Sequence, residues 1–321
     1  MVTTRPVRLA TRGSDLAVHQ ARLVGDLLQR ADANLAVELV VVETTGDRRL
    51  DVPLGAFAGQ GVFVVEVERA VLDGRADVAV HSAKDLPSGD LAAGLVLASV
   101  PDRADPRDVL VGRSLGELAP GATVATGAPR RRAQLAHARP DLHFSELRGN
   151  IATRLGKVPD GGAIVVALAA LRRLGLESRV DEVLPVSVML PQVGQGALAL
   201  RCREGDAELR DLLGRIDLPG PHRCILAERA FLARLGGGCD APVAAYATTS
   251  SSDGSNGPVT LDALVASADG RSVLRRCSVG EDPVELGTAV AEEILGLDGA
   301  ALVVGDRAAV IPPVATGPDA S

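Results

Sequence analysis

Short β-branched runs and amphipathic stretches alternate through the first half of the chain. Val7–Thr11 and Glu38–Thr44 read as strands. Between them, Asp15–Arg30 carries Leu16, Leu23, Val24, Leu27 and Leu28 close to i, i+3, i+4 spacing, which predicts a helix with one buried face. Gly46–Gly61, rich in glycine and small residues, reads as a mobile loop. Val62–Leu72 reads as a helix closed by Gly74 as its C-cap, and Ala76–His81 and Leu95–Val100 as apolar strands. This succession predicts a mostly parallel sheet flanked by helices.

A second unit of the same kind starts near Asp108. Val109–Val111, Thr123–Ala125, Leu142–Leu147 and Ala163–Ala167 read as strands, and Pro129–His137, Asn150–Lys157 and Ala170–Leu174 as helices or helix starts. Gln195–Cys202 is again strand-like and reads as a return into the first unit. Beyond Leu218 the pattern changes. Arg223–Leu235 and Pro283–Leu295 are helical, and Val243–Thr248, Val259–Ala266 and Val273–Val279 form an antiparallel meander with turns at Asp253-Gly254 and Asp269-Gly270. The expected organisation is α/β in three domains: 5–100 with 195–217, then 104–191, then a smaller C-terminal α/β domain at 218–310 with an antiparallel sheet. Residues 311–321, small and proline-bearing, read as a disordered tail. Two such lobes enclose a cleft, with ligands expected at the carboxyl ends of strands near helix N-termini.

Composition narrows the partners. No apolar run reaches the ~18 residues of a membrane span, and no signal-peptide pattern opens the chain. A net charge of −7, four Phe, one Tyr and no Trp argue against nucleic acid, which needs a basic face and aromatic platforms. The expectation is a cytoplasmic monomer acting on a small molecule. The four cysteines have neither C-x-x-C nor zinc-finger spacing, so no metal is expected.

Basic residues cluster just after predicted strands. Arg12 follows the first, Lys84 and Asp85 follow the strand ending at His81, Arg130 and Arg131 follow Thr126, and Arg148, Arg154 and Arg173 follow later strands. Arginine makes bidentate hydrogen bonds to carboxylates, so groups converging in this way suit a small polyanion. No P-loop is present, and Gly55, Gly59 and Gly61 lack dinucleotide-binding spacing. Asp85, beside Lys84, is positioned to stabilise developing positive charge or move a proton, or else to cap a turn. His81 reads either as a base or as a structural histidine at a strand end. Cys239, after three glycines, reads as a nucleophile or covalent anchor, or else as an inert thiol. Cys202, Cys224 and Cys277 read as small buried thiols.

Several blocks together resemble the porphobilinogen deaminase family: ATRGSDLA (10–17), DVAVHSAKDLP (77–87), DPRD (105–108), RRRAQL (130–135), LRGNIATRL (147–155), LRRLGL (171–176), QGALALRCR (195–203), AERA (227–230) and GGCDAPV (237–243). The resemblance implies two lobes like those of periplasmic binding proteins and a third domain whose Cys239 carries a dipyrromethane cofactor in thioether linkage. It implies a transferase that joins four porphobilinogens head to tail, releases ammonia and hydrolyses off hydroxymethylbilane. Lys84, Thr126, Arg130 and Arg131 would hold cofactor carboxylates. Arg12, Ser14, Gln20, Phe63, Arg148, Arg154 and Arg173 would serve the substrate or growing chain, with Gly46–Gly61 as a lid, and Asp85 would be catalytic. The family's usual Thr-Ser-Ser before the arginine pair is here Thr126-Gly127-Ala128, its lid lysines are Ala56 and Gln60, and its Glu before Gly-Gly-Cys is Gly236. Losing a neutral hydrogen bond costs ~0.5–1.5 kcal/mol, which weakens binding without removing chemistry. The alternatives are a catalytically impaired paralogue and a non-enzymatic two-lobed anion-binding module. Ammonia release separates the three.

Overall fold

The structure is a computed structural model that describes residues 5–43, 64–87, 92–236, 241–250, 257–299 and 301–302. The expected loop at Gly46–Gly61, Phe63, the Asp253-Gly254 turn, Cys239 and the tail at 311–321 lie outside the described residues.

The chain begins with β1 (Val7–Arg12), α1 (Asp15–Ala31), β2 (Val37–Val42), α2 (Val65–Leu72), β3 (Val78–Ser82) and β4 (Leu95–Ser99). Successive strand residues face opposite sides. Leu9 therefore packs with Val24 and Leu28 of α1, while Ala10 packs with Val67 and Val71 of α2 on the other face. Burial on both faces is why these strands read as near-continuous apolar runs. α1 starts where the Ser14 hydroxyl accepts the Ala17 N–H at 3.3 Å, an N-cap that satisfies one of the helix's orphan donors.

The next segment holds β5 (Asp108–Val111), β6 (Thr123–Ala125), α3 (Pro129–Ala138), β7 (His143–Ser145), α4 (Ile151–Leu155), β8 (Ala163–Ala167), α5 (Leu168–Arg173) and β9 (Glu182–Val183). Val109, Ile164 and Val166 face one layer, and Leu110, Ala163 and Val165 the other. The chain then returns through β10 (Leu198–Arg203) and α6 (Ala207–Gly214).

The first sheet runs β2-β1-β3-β10-β4 and the second β7-β6-β8-β5-β9. They are mixed rather than mostly parallel. β1 is parallel to β2 and β3, whereas β10 is antiparallel to β3 and β4; β6 is parallel to β7 and β8, whereas β5 is antiparallel to β8 and β9. The reason is connectivity. β5 and β10 are the strands that arrive from the opposite lobe, so each enters its sheet from the far end.

The last unit is α7 (Pro219–Leu235), β11 (Val243–Thr249), β12 (Val259–Ala266), β13 (Val273–Gly280) and α8 (Pro283–Ile294), with its sheet an antiparallel meander. One face is covered by Phe231 and Leu235 of α7 and Val290 and Ile294 of α8. On the other, Ala244, Leu264 and Ala266 pack against Ala133 of α3 and Leu190, which docks the unit onto the second lobe. No helix among the described residues is long and apolar enough to cross a membrane.

Candidate active site

Arg12 is the last residue of β1, Lys84 and Asp85 follow β3 directly, and Arg154 and Arg173 lie on α4 and at the end of α5; the ends of β1 and β3 share one cavity. It is lined by Arg12, Ser14, Gln20, His81, Ser82 and Asp85, with Leu16, Ala17 and Val80 behind them. Asp85 closes a single 3-10 turn, Ala83–Asp85, directly after β3. Gln20 is buried, with its amide nitrogen and oxygen 3.0 and 3.1 Å from the Ser82 hydroxyl, so α1 is tied to the end of β3. Ser14 lies on the same wall with its hydroxyl engaged as the α1 cap.

His81 does not fit the role of base. Burial, with Arg201 and Arg12 adding to it, pushes its pKa down to about 3, so the ring is neutral at ordinary pH and a poor proton acceptor. Its Nε2 lies 3.8 Å from Glu68, which is paired with Arg201 inside the lobe. Burial raises the Glu68 carboxyl, and Arg201 opposes that rise.

Across the cleft, Arg130 and Arg131 emerge from the first turn of α3, which Pro129 starts. Both are almost fully buried, around a carboxylate that is wholly buried, Asp108 at the start of β5. Arg130 Nη1 donates to Asp108 Oδ2 at 2.7 Å and to the Leu190 carbonyl at 3.2 Å, and its Nη2 donates to Gln195 Oε1 at 3.1 Å. Arg131 donates to Asp108 Oδ1 from Nη2 at 2.7 Å and Nε at 3.2 Å, and to the Val165 carbonyl at 3.1 Å. Gln195 Nε2 adds a further bond to Oδ1 at 2.8 Å. Burial alone would raise the Asp108 carboxyl; Arg130 and Arg131 outweigh it and hold it well below the usual carboxylate range. The two guanidiniums are thus fixed in direction. One carboxylate does not neutralise two cations, so a net positive charge remains.

The lobes face each other through these charges. Lys84 is partly buried, and burial lowers its pKa to about 8; Asp85 and Asp108 oppose the fall, and Arg131 and Arg130 add to it. Burial and Arg131 lower the Arg154 pKa, against which Asp85 acts. Lys84 of the first lobe and Arg154 of the second therefore lie in the field of the same two groups, Asp85 and Arg131. Arg154 is steered by an Nε bond to the Gly149 carbonyl at 2.7 Å.

The remaining expected residues are distributed differently. Thr126 is buried, and its hydroxyl accepts the Ala128 N–H at 3.3 Å. Arg148 is exposed beside Glu146, 3.9 Å away. Arg173 is turned onto Asp102 at 2.6 Å and the Gly196 carbonyl at 2.7 Å, so it ties α5 to both crossing segments. A second cavity, lined by Ala128, Arg130, Gln192, Val193, Leu232, Ala241 and Val243, joins Arg130 to the chain two residues beyond Cys239. Arg130 Nε is buried and has no hydrogen-bond partner among the described residues. An anchored anionic group fits this donor set, because a carboxylate satisfies an orphan guanidinium N–H.

Asp108, Gln195 and Asp102 were not singled out for chemistry from the sequence. The available signal was a carboxylate opening a fully apolar strand, because a buried Asp requires a cation.

Comparison with known proteins follows the same division. Residues 7–211 match the family model described as "Porphobilinogen deaminase, dipyromethane cofactor binding domain", and residues 222–296 match "Porphobilinogen deaminase, C-terminal domain". The chain is 46% identical over 303 residues to a porphobilinogen deaminase of Roseiflexus castenholzii, covering 92% of this chain and 98% of that one. It is 43% identical over 293 residues to one from Brevibacillus brevis, covering 90% and 93%. Among solved structures it is similar to lipoprotein Tp32 from Treponema pallidum, at 16% identity and a TM-score of 0.41 over 70% of this chain and 95% of that one.

Proposed function

The chain belongs to the porphobilinogen deaminase family, and on that premise we propose how its own residues divide the work. The enzyme is a transferase that condenses four porphobilinogens head to tail with loss of ammonia and releases hydroxymethylbilane. Sheet membership supports dividing it at 5–100 with 195–217, at 104–191 and at 218–310. The reading carries with it a cytoplasmic location and a monomer. Of the free thiols, Cys202 and Cys224 are buried as expected, whereas Cys277, on the edge strand β13, is exposed, contrary to expectation.

Cys239 anchors the dipyrromethane cofactor, which when bound supplies the pyrrole carbon on which the product is built. Lys84, Arg130 and Arg131, with Thr126, hold its carboxylates. Each guanidinium retains N–H donors beyond those spent on Asp108 and the carbonyls. Arg12, Ser14 and Gln20 on one wall and Arg148 and Arg154 on the other receive the acetate and propionate groups of incoming substrate. The family resemblance assigns Arg173 and Phe63 to the same task. The observation that carries the reading is the position of Asp85, which lines the substrate-wall cavity and also acts on both Lys84 and Arg154. There its carboxylate accepts from a pyrrole N–H and stabilises the positive charge that develops as ammonia departs.

The test is direct. Protein expressed in cells that make porphobilinogen is expected to show a covalent mass increment, absent in Cys239→Ser, and to release ammonia from porphobilinogen. An unmodified mass with no ammonia would overturn the reading.

A further inference from the structure

The AERA block at 227–230 lies on α7, outside both lobes, and the chemistry above makes no use of it. Glu228 is completely buried, and its carboxylate is surrounded by donors alone. Oε1 accepts from Arg103 Nη2 at 2.7 Å and the Ala247 N–H at 2.8 Å, and Oε2 accepts from the Gly194 N–H at 2.8 Å. Arg103 and Gly194 lie on the two segments that cross between the lobes, and Ala247 lies on β11. One carboxylate of the third unit therefore holds both crossings.

Gly194 is the link onward. It has a φ of +74°, and a Cβ there would fall 2.7 Å from the Ala83 carbonyl carbon and 2.8 Å from the Lys84 nitrogen. The backbone of Gly194 thus presses directly on the turn that carries Lys84 and Asp85. The same turn is held by the Ala83 N–H to the Ala197 carbonyl at 3.0 Å, and Gln192 Nε2 donates to the Lys84 carbonyl at 3.3 Å. Arg229, the next residue of α7, donates to the Pro87 carbonyl just beyond the turn at 3.0 Å.

We propose that Glu228 is a positioning residue. Its hydrogen bond to Gly194 sets the Ala83–Asp85 turn relative to the unit that carries Cys239, so that Asp85 stays in register with the anchored chain. The proposal rests on the family reading and goes beyond it in assigning a role to a residue that touches no substrate.

The donor-only surroundings supply a selective probe. In Glu228→Gln, the amide oxygen satisfies Arg103 and Ala247 together, and the amide nitrogen faces the Gly194 N–H, which cannot accept. The substitution releases the turn and keeps the other two bonds. With Cys239 loading confirmed by intact mass, kcat per loaded molecule is expected to fall about tenfold or more, since ~1 Å of misplacement can cost ~10²-fold. KM should stay within about threefold, because the carboxylate-binding arginines are unmoved. Gly194→Ala disturbs the same contact from the crossing side and is expected to give the same split, which covers failure of the first variant to fold. A purely structural role would lower the loaded fraction and melting temperature at unchanged kcat per loaded molecule. That result, in an active wild type, would overturn the proposal. A wild type with neither adduct nor ammonia release would instead overturn the family reading.

Discussion

Replacing Asp108 with Asn removes one negative charge from the centre of a buried network while changing shape little. Arg130 and Arg131 have side chains only 4% and 7% exposed, so neither can be rehydrated without opening the lobe. Asn retains a carbonyl acceptor, but its amide nitrogen must face a guanidinium, and two buried cations lose their counter-ion. Breaking a buried ion pair from one side typically costs ~3–5 kcal/mol. Against a total stability of ~5–15 kcal/mol, that is a large fraction. With no Trp in the chain, urea unfolding followed by far-ultraviolet circular dichroism is the suitable assay. The pH dependence has a definite sign. Asp108 is held below the unfolded carboxylate value of ~3.9, so its stabilisation is complete above that value and fades as pH falls through the folded value. The variant should lose that part of the acid dependence below about pH 4. An anionic cofactor restores part of the missing charge, so the loss should be larger in the unloaded Cys239→Ser background than in loaded protein. A loss below about 1 kcal/mol at pH 7 in the unloaded background would refute the claim that Asp108 is the counter-ion of both arginines.

Other expectations use different readouts. Asp85→Asn should lower kcat by roughly 10²–10⁴-fold with KM little changed, measured as ammonia release; a near-normal kcat would remove Asp85 from the chemistry. On the proposed reading Lys84 holds cofactor carboxylates as an ammonium; burial lowers its pKa to about 8, so cofactor uptake by apoprotein should be complete below that pH and fall as pH rises through it. Uptake followed by intact mass should lose this step in Lys84→Met; an identical step there would assign it to another group. Gly270, at φ +72°, lets the β12–β13 turn touch α3, and an added Cβ would lie 2.3 Å from the Ala133 carbonyl oxygen. Gly270→Ala should therefore cost ~1–3 kcal/mol in urea unfolding, and an unchanged midpoint would show that this contact is loose.

Local pattern was a good guide wherever an element buries a regular face. Thr123–Ala125, Ala163–Ala167 and Val259–Ala266 are strands with the limits their apolar runs suggest, and α1 begins at its Ser14 cap. The misses are elements with weak periodicity. β9 is two residues long, α6 was not anticipated, and Gln195–Ala197 precedes β10 because those residues form the crossing turn. Residue types near strand ends also identified the cation-rich cleft, since that placement follows from strand order.

The blocks around Arg12, Lys84–Asp85, Arg130–Arg131 and Cys239 were enough to determine the family and its reaction, because a motif is read from residue type and order along the chain. Pairing was decided only by the fold. Arg130 and Arg131 share Asp108, Arg173 pairs with Asp102, and Glu228 reaches Gly194 on a crossing segment. The antiparallel entry of β5 and β10 was likewise decided by the fold. The physical reason is range. Helix and strand patterns repeat within a few residues, whereas a buried charge is stable only beside its counter-charge, and that partner is supplied by a distant segment that packing brings into place.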